Sequence, residues 1–533
     1  MDKYIEEYIL LNPSYNDFVG LPKFKRLRKH WENNLSDEHA QASKALYKKY
    51  LLEMSKKKKL NIWEESFVYD LNISLKLIDS PGQYMPIDNI DNTILEFIEL
   101  SLGDSLYSFK TKEDYDFFIN KTVEFEIWCY SAIRKMKEGI QKKCTLPKVI
   151  VVKIISQLKN ALKNKDYKDH KVKIKLDYDF IDILDKKLVI ILKTMLQFLE
   201  NVYLKHASNK IGFSQYPNGK KYYRLFVESE ITTKMTIKQI HNLGLKEVKR
   251  IYNEMNMIKD ELGFKGTLKE FNKWINQNPK LKFKDKKEMD KVYKYYQKYN
   301  NDNVMKKLFL DTIPHKAIIE PVPSFLEDSS SAAYYMPGDV VGNRKGTFYY
   351  NTLKPKETNK YAAESLTLHE DCPGHHYQIT LVNLNKKIPL FIKLLDNNAY
   401  IEGWGLYSEN LGTYKDKYNY MGKLNMEMLR AIRLVLDTGI HYYDWSVNDC
   451  ISYFKQYSNT PEHEMKTEIY RYIVSPAEVL SYKIGEITLL KLRDMYLSKG
   501  KTIQQFHHDV LIDGPLPLEV LTKKLTLIAN KKK

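Results

Sequence analysis

The sequence predicts a mainly α-helical protein with a small β-hairpin or sheet in its second half. Two patterns predict it. Apolar residues recur at three- and four-residue spacing through most of the 533 residues, with charges between them. One stretch, 332–351, instead carries Tyr334, Tyr335, Val340, Val341, Phe348, Tyr349 and Tyr350 around Gly338, Gly342 and Gly346, which is strand and turn chemistry. A chain of this length that is 43% hydrophobic has ample material for a large buried core.

In chain order, helical patterns cover 36–60, 62–79, 91–106 and 112–138. Asp79-Ser80-Pro81-Gly82 is a break with turn chemistry. Helices resume at 146–163 and 180–206, and Pro217-Asn218-Gly219-Lys220 reads as a turn. Further helices are expected at 236–262, 266–277 and 285–300. Ile313 to Pro323 holds Pro314, Pro321 and Pro323 and has little helical period. Past the β-like stretch, helices are expected at 361–384, 389–413, 422–440, 446–456, 463–473 and 476–498. The turn Asp513-Gly514-Pro515-Leu516-Pro517 precedes a short last helix. There is no internal repeat and no low-complexity linker. The change of texture divides a helical N-terminal portion, 1–310, a candidate lid or cleft wall, from a catalytic portion, 311–533; the two can share one continuous core.

Composition narrows the function classes. The 85 Lys and Arg against 67 Asp and Glu give a net charge of +18. The excess is mostly Lys spread along the chain, which reads as solvated helix faces rather than a nucleic-acid surface. No zinc-knuckle, helix-turn-helix or RNA-recognition signature accompanies it, so no specific nucleic-acid partner is expected. Four cysteines (Cys129, Cys144, Cys372 and Cys450) are no disulfide framework and fit a reducing compartment. The start, Met1-Asp2-Lys3-Tyr4-Ile5-Glu6-Glu7, lacks the basic-then-apolar order of a signal peptide. No run of about 18 uncharged apolar residues occurs, so no spanning helix is expected. These features together predict a cytoplasmic protein without a membrane partner.

The segment Leu366-Thr367-Leu368-His369-Glu370-Asp371-Cys372-Pro373-Gly374-His375-His376-Tyr377-Gln378 carries the chemistry. A zinc hydrolase needs neutral imidazoles on the metal and a carboxylate to take a proton from water. On a regular helix the histidines stand four apart, but the fourth residue after His369 is Pro373. His375 would lie roughly 9 Å along an unbroken helix and about 120° off the face of His369, and His376 roughly 10 Å away on nearly the same face. Neither could share an ion with His369 there. Pro373 removes a helix hydrogen bond and Gly374 relaxes the backbone limits, so the pair suits a bulge that brings a later histidine back. His375 is the preferred second ligand and His376 the alternative. Tyr400 to Glu409 forms a neighbouring helix in which Glu402 and Glu409 share a face. Glu402 is assigned to the metal and Glu409 to a hydrogen bond on a ligating histidine.

These segments resemble the family called domain of unknown function 885. Its marks are His-Glu-x-x-Pro-Gly-His-His-x-Gln, here His369 to Gln378, and Glu-Gly-Trp-x-Leu-Tyr-x-Glu, here Glu402 to Glu409. Gly342 to Phe348 with Asn351 resembles the strand that precedes its metal helix. Arg430, Arg433, Asp437, Thr438, Gly439 and His441 resemble a further family segment, and Glu468 through Gly485 another. At Ser475-Pro476-Ala477-Glu478 the chain departs from the family's usual Pro-Gly-Gln. The resemblance runs nearly end to end and is most specific from 340 to 521. It implies a large multi-helix metallopeptidase-like fold related to the gluzincins, with two His and one Glu on one Zn2+.

The resulting expectation is a zinc metallopeptidase acting on a peptide or small amide, with Glu370 as the base. His441, Tyr472 and Tyr482 are the candidates for a donor to the oxyanion. Arg471 or Lys483 could hold a substrate carboxylate, and the strand near Asn351 could pair with an extended peptide. The same site chemistry would serve an amidase or esterase on another substrate. A binding protein that keeps the fold would have no use for Glu370.

Overall fold

The computed structural model describes residues 1–103, 107–323, 327, 331–338, 345–458 and 460–531. Several of its helices begin where the sequence supplies capping chemistry. Thr111, Thr236 and Ser446 each accept a hydrogen bond from the third helical residue, whose side chain returns one to the cap backbone. The helices they start are Lys112–Gln141, Ile237–Glu261 and Val447–Tyr457. Among the described residues, helix dominates and the only sheet has three strands.

That sheet is built from β1 (Ile318–Pro321), β2 (Ala333–Met336) and β3 (Thr347–Tyr350), in the order β1-β3-β2. β2 and β3 pair antiparallel, as a hairpin pattern requires, with Tyr334 opposite Tyr349. β1 joins parallel to β3 and comes from the proline-rich stretch, which gave no strand signal. Pro321 is tolerated because β1 lies at the edge of the sheet. Val340, Val341, Gly342, Asn343 and Arg344 lie outside the described residues.

Other departures have local causes. Pro217-Asn218 does turn, with Asn218 at φ 56°, but Gly219 already starts a helix that runs to Ile231. Tyr223, Val227 and Ile231, four apart, bury its apolar face. The helix expected at 389–413 is two, Leu390–Lys393 and Asn398–Glu409. The one expected at 361–384 also divides, at the Pro-Gly pair.

The helices around that division form the centre of the molecule. We number them α1 (Ile237–Glu261), α2 (Ala363–Glu370), α3 (His375–Leu384), α4 (Asn398–Glu409), α5 (Lys417–Tyr443), α6 (Glu462–Val474) and α7 (Leu480–Ser498). α5 packs along α1, and α4 along α7. α4 and α7 touch backbone to backbone: a Cβ on Gly403 would lie 2.5 Å from the Cα of Gly485. The largest apolar cluster draws on both sides of residue 310, from Phe97 and Phe118 to Leu436 and Tyr472. Phe348 and Tyr350 of the sheet pack on Ala363 and Leu366 of α2, which sets the sheet beside the metal-site helix. Among the described residues, no helix is long and apolar enough to cross a membrane.

Candidate metal centre

α2 ends at Glu370 and α3 begins at His375, so Asp371 to Gly374 form the break. Trp404 of α4 pins it by donating its indole N–H to the Pro373 carbonyl at 2.8 Å. The break returns the chain so that the rings of His369 and His375 lie 4.7 Å apart at 87° to each other. Glu402 of α4 points between them.

The spacing of these three residues is informative. Glu402 Oε2 lies 3.4 Å from His369 Nε2 and 3.6 Å from His375 Nε2. Such distances are long for hydrogen bonds to a carboxylate. They match the edges of a tetrahedron with ligand bonds of about 2.1 Å, which are roughly 3.4 Å. The donor set, two imidazoles and one carboxylate, is a zinc set with a position left for water or substrate. The residues present therefore fit the ion that the sequence pattern implies.

The surroundings hold the ligands in place. Glu409 is fully buried; its Oε1 accepts from His369 Nδ1 at 2.9 Å and its Oε2 accepts from the Ser365 hydroxyl at 2.5 Å. With Nδ1 held by Glu409, Nε2 is the ring nitrogen turned toward Glu402 and His375. Gly405 clears the space for this ring, since a Cβ there would lie 2.7 Å from His369 Nε2. Burial disfavours a charged His369 ring, yet Glu402 and Glu409 outweigh it and raise its pKa to about 10. Burial likewise opposes ionisation of Glu402, but the two histidines hold its carboxyl well below the usual range. The pocket thus demands a positive charge between the carboxylates, a demand that a divalent cation meets. Glu370 follows directly, is 9% exposed, and makes no hydrogen bond among the described residues.

Not every residue singled out from the sequence reaches this pocket. His376, the alternative ligand, accepts from the Tyr335 hydroxyl at Nδ1 and donates to the His315 carbonyl from Nε2, so both nitrogens are engaged elsewhere. It joins Asp371 and Cys372 in a separate buried group. His441 accepts from the Phe213 N–H at 3.1 Å and donates to the Tyr472 carbonyl at 2.8 Å. Burial holds it neutral, with a pKa near 4, and no ring atom remains for a substrate. Tyr472 is fully buried and donates its hydroxyl to Glu468 at 2.6 Å. Lys483 is 1% exposed and bound between Glu427 and Glu486. The Asn351 side chain shapes the end of β3, donating to the Glu327 carbonyl and accepting from the Leu353 N–H. These placements correct the assignments of His441 and Tyr472 as oxyanion donors and of Lys483 as a substrate ligand, and the strand pairing expected near Asn351 is taken up within the sheet, where β3 is the central strand between β1 and β2. Arg471 is paired with Glu478.

Tyr482 stands differently. Among the described residues its hydroxyl receives one long contact, from Arg471 at 3.5 Å, and donates to none. It stands on α7 one turn before Gly485, which packs against Gly403 beside Glu402, and burial and then the Glu402 charge push its pKa up to about 12.

Comparison with known proteins now bears on this arrangement. Residues 13–525 match the family described as "Bacterial protein of unknown function (DUF885)". The chain belongs to DUF885. The crystal structure of a "putative lipoprotein" from Colwellia psychrerythraea is similar over 99% of this chain and 98% of that one, with a TM-score of 0.89 at 23% identity. A second structure, of a "putative lipoprotein of unknown function" from Shewanella oneidensis, is similar over 98% of both chains with a TM-score of 0.75 at 17% identity. At such identities the similarity shows that the DUF885 fold is shared. No functionally curated protein matches the chain.

One contributor to this DUF885 site was missed from sequence. Ser365 stands four residues before His369, and that spacing on one helix face was the available signal. Arg430 and Arg433 were open from sequence between an ion pair with Asp437 and substrate contact, and Arg433 pairs instead with Glu468.

Proposed function

We propose that this DUF885 protein is a zinc-dependent hydrolase that cleaves peptide bonds. The observation that carries the reading is the convergence of His369, His375 and Glu402 at tetrahedral-edge distances with Glu370 next in sequence. Zinc held by these residues supplies a Lewis acid that makes water a nucleophile near neutral pH and polarises a carbonyl. The protein's own residues do the rest. Glu409 fixes the orientation and basicity of His369. Glu370, which makes no hydrogen bond among the described residues, is the group to take a proton from the attacking water and pass it to the leaving amine. Tyr482 supplies a hydroxyl donor toward the developing oxyanion. All four cysteines are free and buried, which supports action in a reducing compartment.

The experiment is hydrolysis by the zinc-loaded protein of a panel of dipeptides, blocked peptides and simple esters. Cleavage of peptides, abolished by a chelator and restored by zinc, is the expected result. Cleavage of esters alone would make the protein an esterase on the same site. Stable zinc binding without any hydrolysis would make it a binding protein.

A further inference from the structure

α5 carries a buried cation that meets no counter-charge among the described residues. Arg430 is 7% exposed. Among those residues its Nη1 reaches only Met426, one turn earlier, at 3.2 Å to the carbonyl and 3.4 Å to the sulfur. Its Nε is buried and has no hydrogen-bond partner. Among the described residues no carboxylate lies within ion-pair distance of this guanidinium, whereas its neighbours are neutralised. Arg433 binds Glu468 Oε2 at 3.0 and 3.3 Å, and Arg471 binds Glu478.

The place of Arg430 links it to the metal pocket. Arg430 and Arg433 lie over the ring of Tyr482, at 5.8 and 4.9 Å from its centroid, and Arg471 meets its hydroxyl. Tyr482 stands one turn before Gly485, which packs against Gly403, the neighbour of Glu402, and Met426, the residue Arg430 bonds, packs with Leu366 of α2. Arg430 thus stands beside the zinc site, where α5 meets α2 and α7. A guanidinium taken out of water with an open Nε edge is costly to maintain. That cost is recovered when a ligand brings a carboxylate, because Nε and the adjacent amino group form a planar fork that matches two carboxylate oxygens.

We propose that Arg430 binds the terminal carboxylate of the substrate, so that the site favours peptides and N-acyl amino acids cut next to a free C-terminus. The assignment rests on the hydrolase reading above and names its substrate class. It replaces Arg471 and Lys483, whose charges are already matched within the protein.

The test uses matched acetylated peptides that end in a free acid or in a primary amide. The zinc-loaded protein is expected to favour the acid by about 10-fold or more in kcat/KM, the scale of a lost charge-assisted hydrogen bond. In Arg430→Met that ratio should fall toward one, and Arg430→Lys should recover part of it. Calorimetry with the same pair on zinc-loaded Glu370→Gln reads binding without turnover. Hydrolysis of acid and amide at equal efficiency by the wild type would overturn the carboxylate assignment and leave the hydrolase reading standing. Discrimination in binding, lost in Arg430→Met but accompanied by no hydrolysis, would sink the hydrolase reading and leave the assignment intact. The wild-type comparison needs no variant to fold. A ratio unchanged in a folded Arg430→Met would also overturn the assignment.

Discussion

Replacing Glu370 with Gln is expected to lower peptide hydrolysis by the zinc-loaded protein about 10²–10⁴-fold while the metal stays bound. The amide keeps the size of the side chain and loses the ability to take a proton. Glu370 makes no hydrogen bond among the described residues, so the exchange removes no structural contact seen in the fold. His369, His375 and Glu402, the residues that would hold the ion, are untouched. Steady-state kinetics beside elemental analysis and a thermal melt would separate the outcomes. Loss of activity at constant zinc content and constant Tm is the expected pattern. Full activity in the metal-loaded variant would show that another group accepts the proton.

The second large effect is on stability. Lys483 lies between Glu427 and Glu486 at 2.6 and 2.5 Å, with Glu247 at 3.5 Å. Glu427 is shared with Lys423 at 2.5 Å and with Arg250, while Glu486 accepts from Asn410 Nδ2 at 2.7 Å. This network ties α1, α4, α5 and α7 together just beyond Glu409. Removing the ammonium in Lys483→Met strands buried carboxylates without their cation, which is expected to cost about 3–5 kcal/mol. Denaturant unfolding would read it as a lower midpoint. Adding Glu486→Gln should recover part of the loss, because one of the stranded charges is then gone. A variant as stable as wild type but unable to bind peptide acids would return Lys483 to the substrate.

The sequence was most legible where local chemistry decides structure. Apolar residues at three- and four-residue spacing announced the helices near 112–138, 236–262 and 446–456, and the break at Pro373-Gly374 followed from sterics alone. The break made His375 the preferred partner of His369, and the seven-residue spacing of Glu402 and Glu409 put both carboxylates on one helix face. What stayed hidden depended on distant neighbours. β1 forms because β3 offers it an edge, not because Ile318–Pro321 has strand character of its own. His441 and Tyr472 sit in family segments that look chemical, yet His441 is taken up by the Phe213 N–H, far away in sequence, and by the Tyr472 carbonyl, while the Tyr472 hydroxyl is taken up by Glu468 one turn before it. Arg430, Arg433 and Arg471 are alike in sequence, and only the positions of Glu468 and Glu478 show which one is unmatched. Whether a buried polar side chain is structural or available is a question about its partners, and partners come from the tertiary fold.

The most direct test of the central claim is zinc content by elemental analysis of the wild type, His369→Ala and Glu402→Ala, each shown to be folded by circular dichroism. The account predicts about one zinc per wild-type chain, the stoichiometry of a site with two imidazoles and one carboxylate, and its loss in both variants. A folded wild type prepared without chelator that retains no zinc and takes none up, or variants that keep the metal, would contradict it.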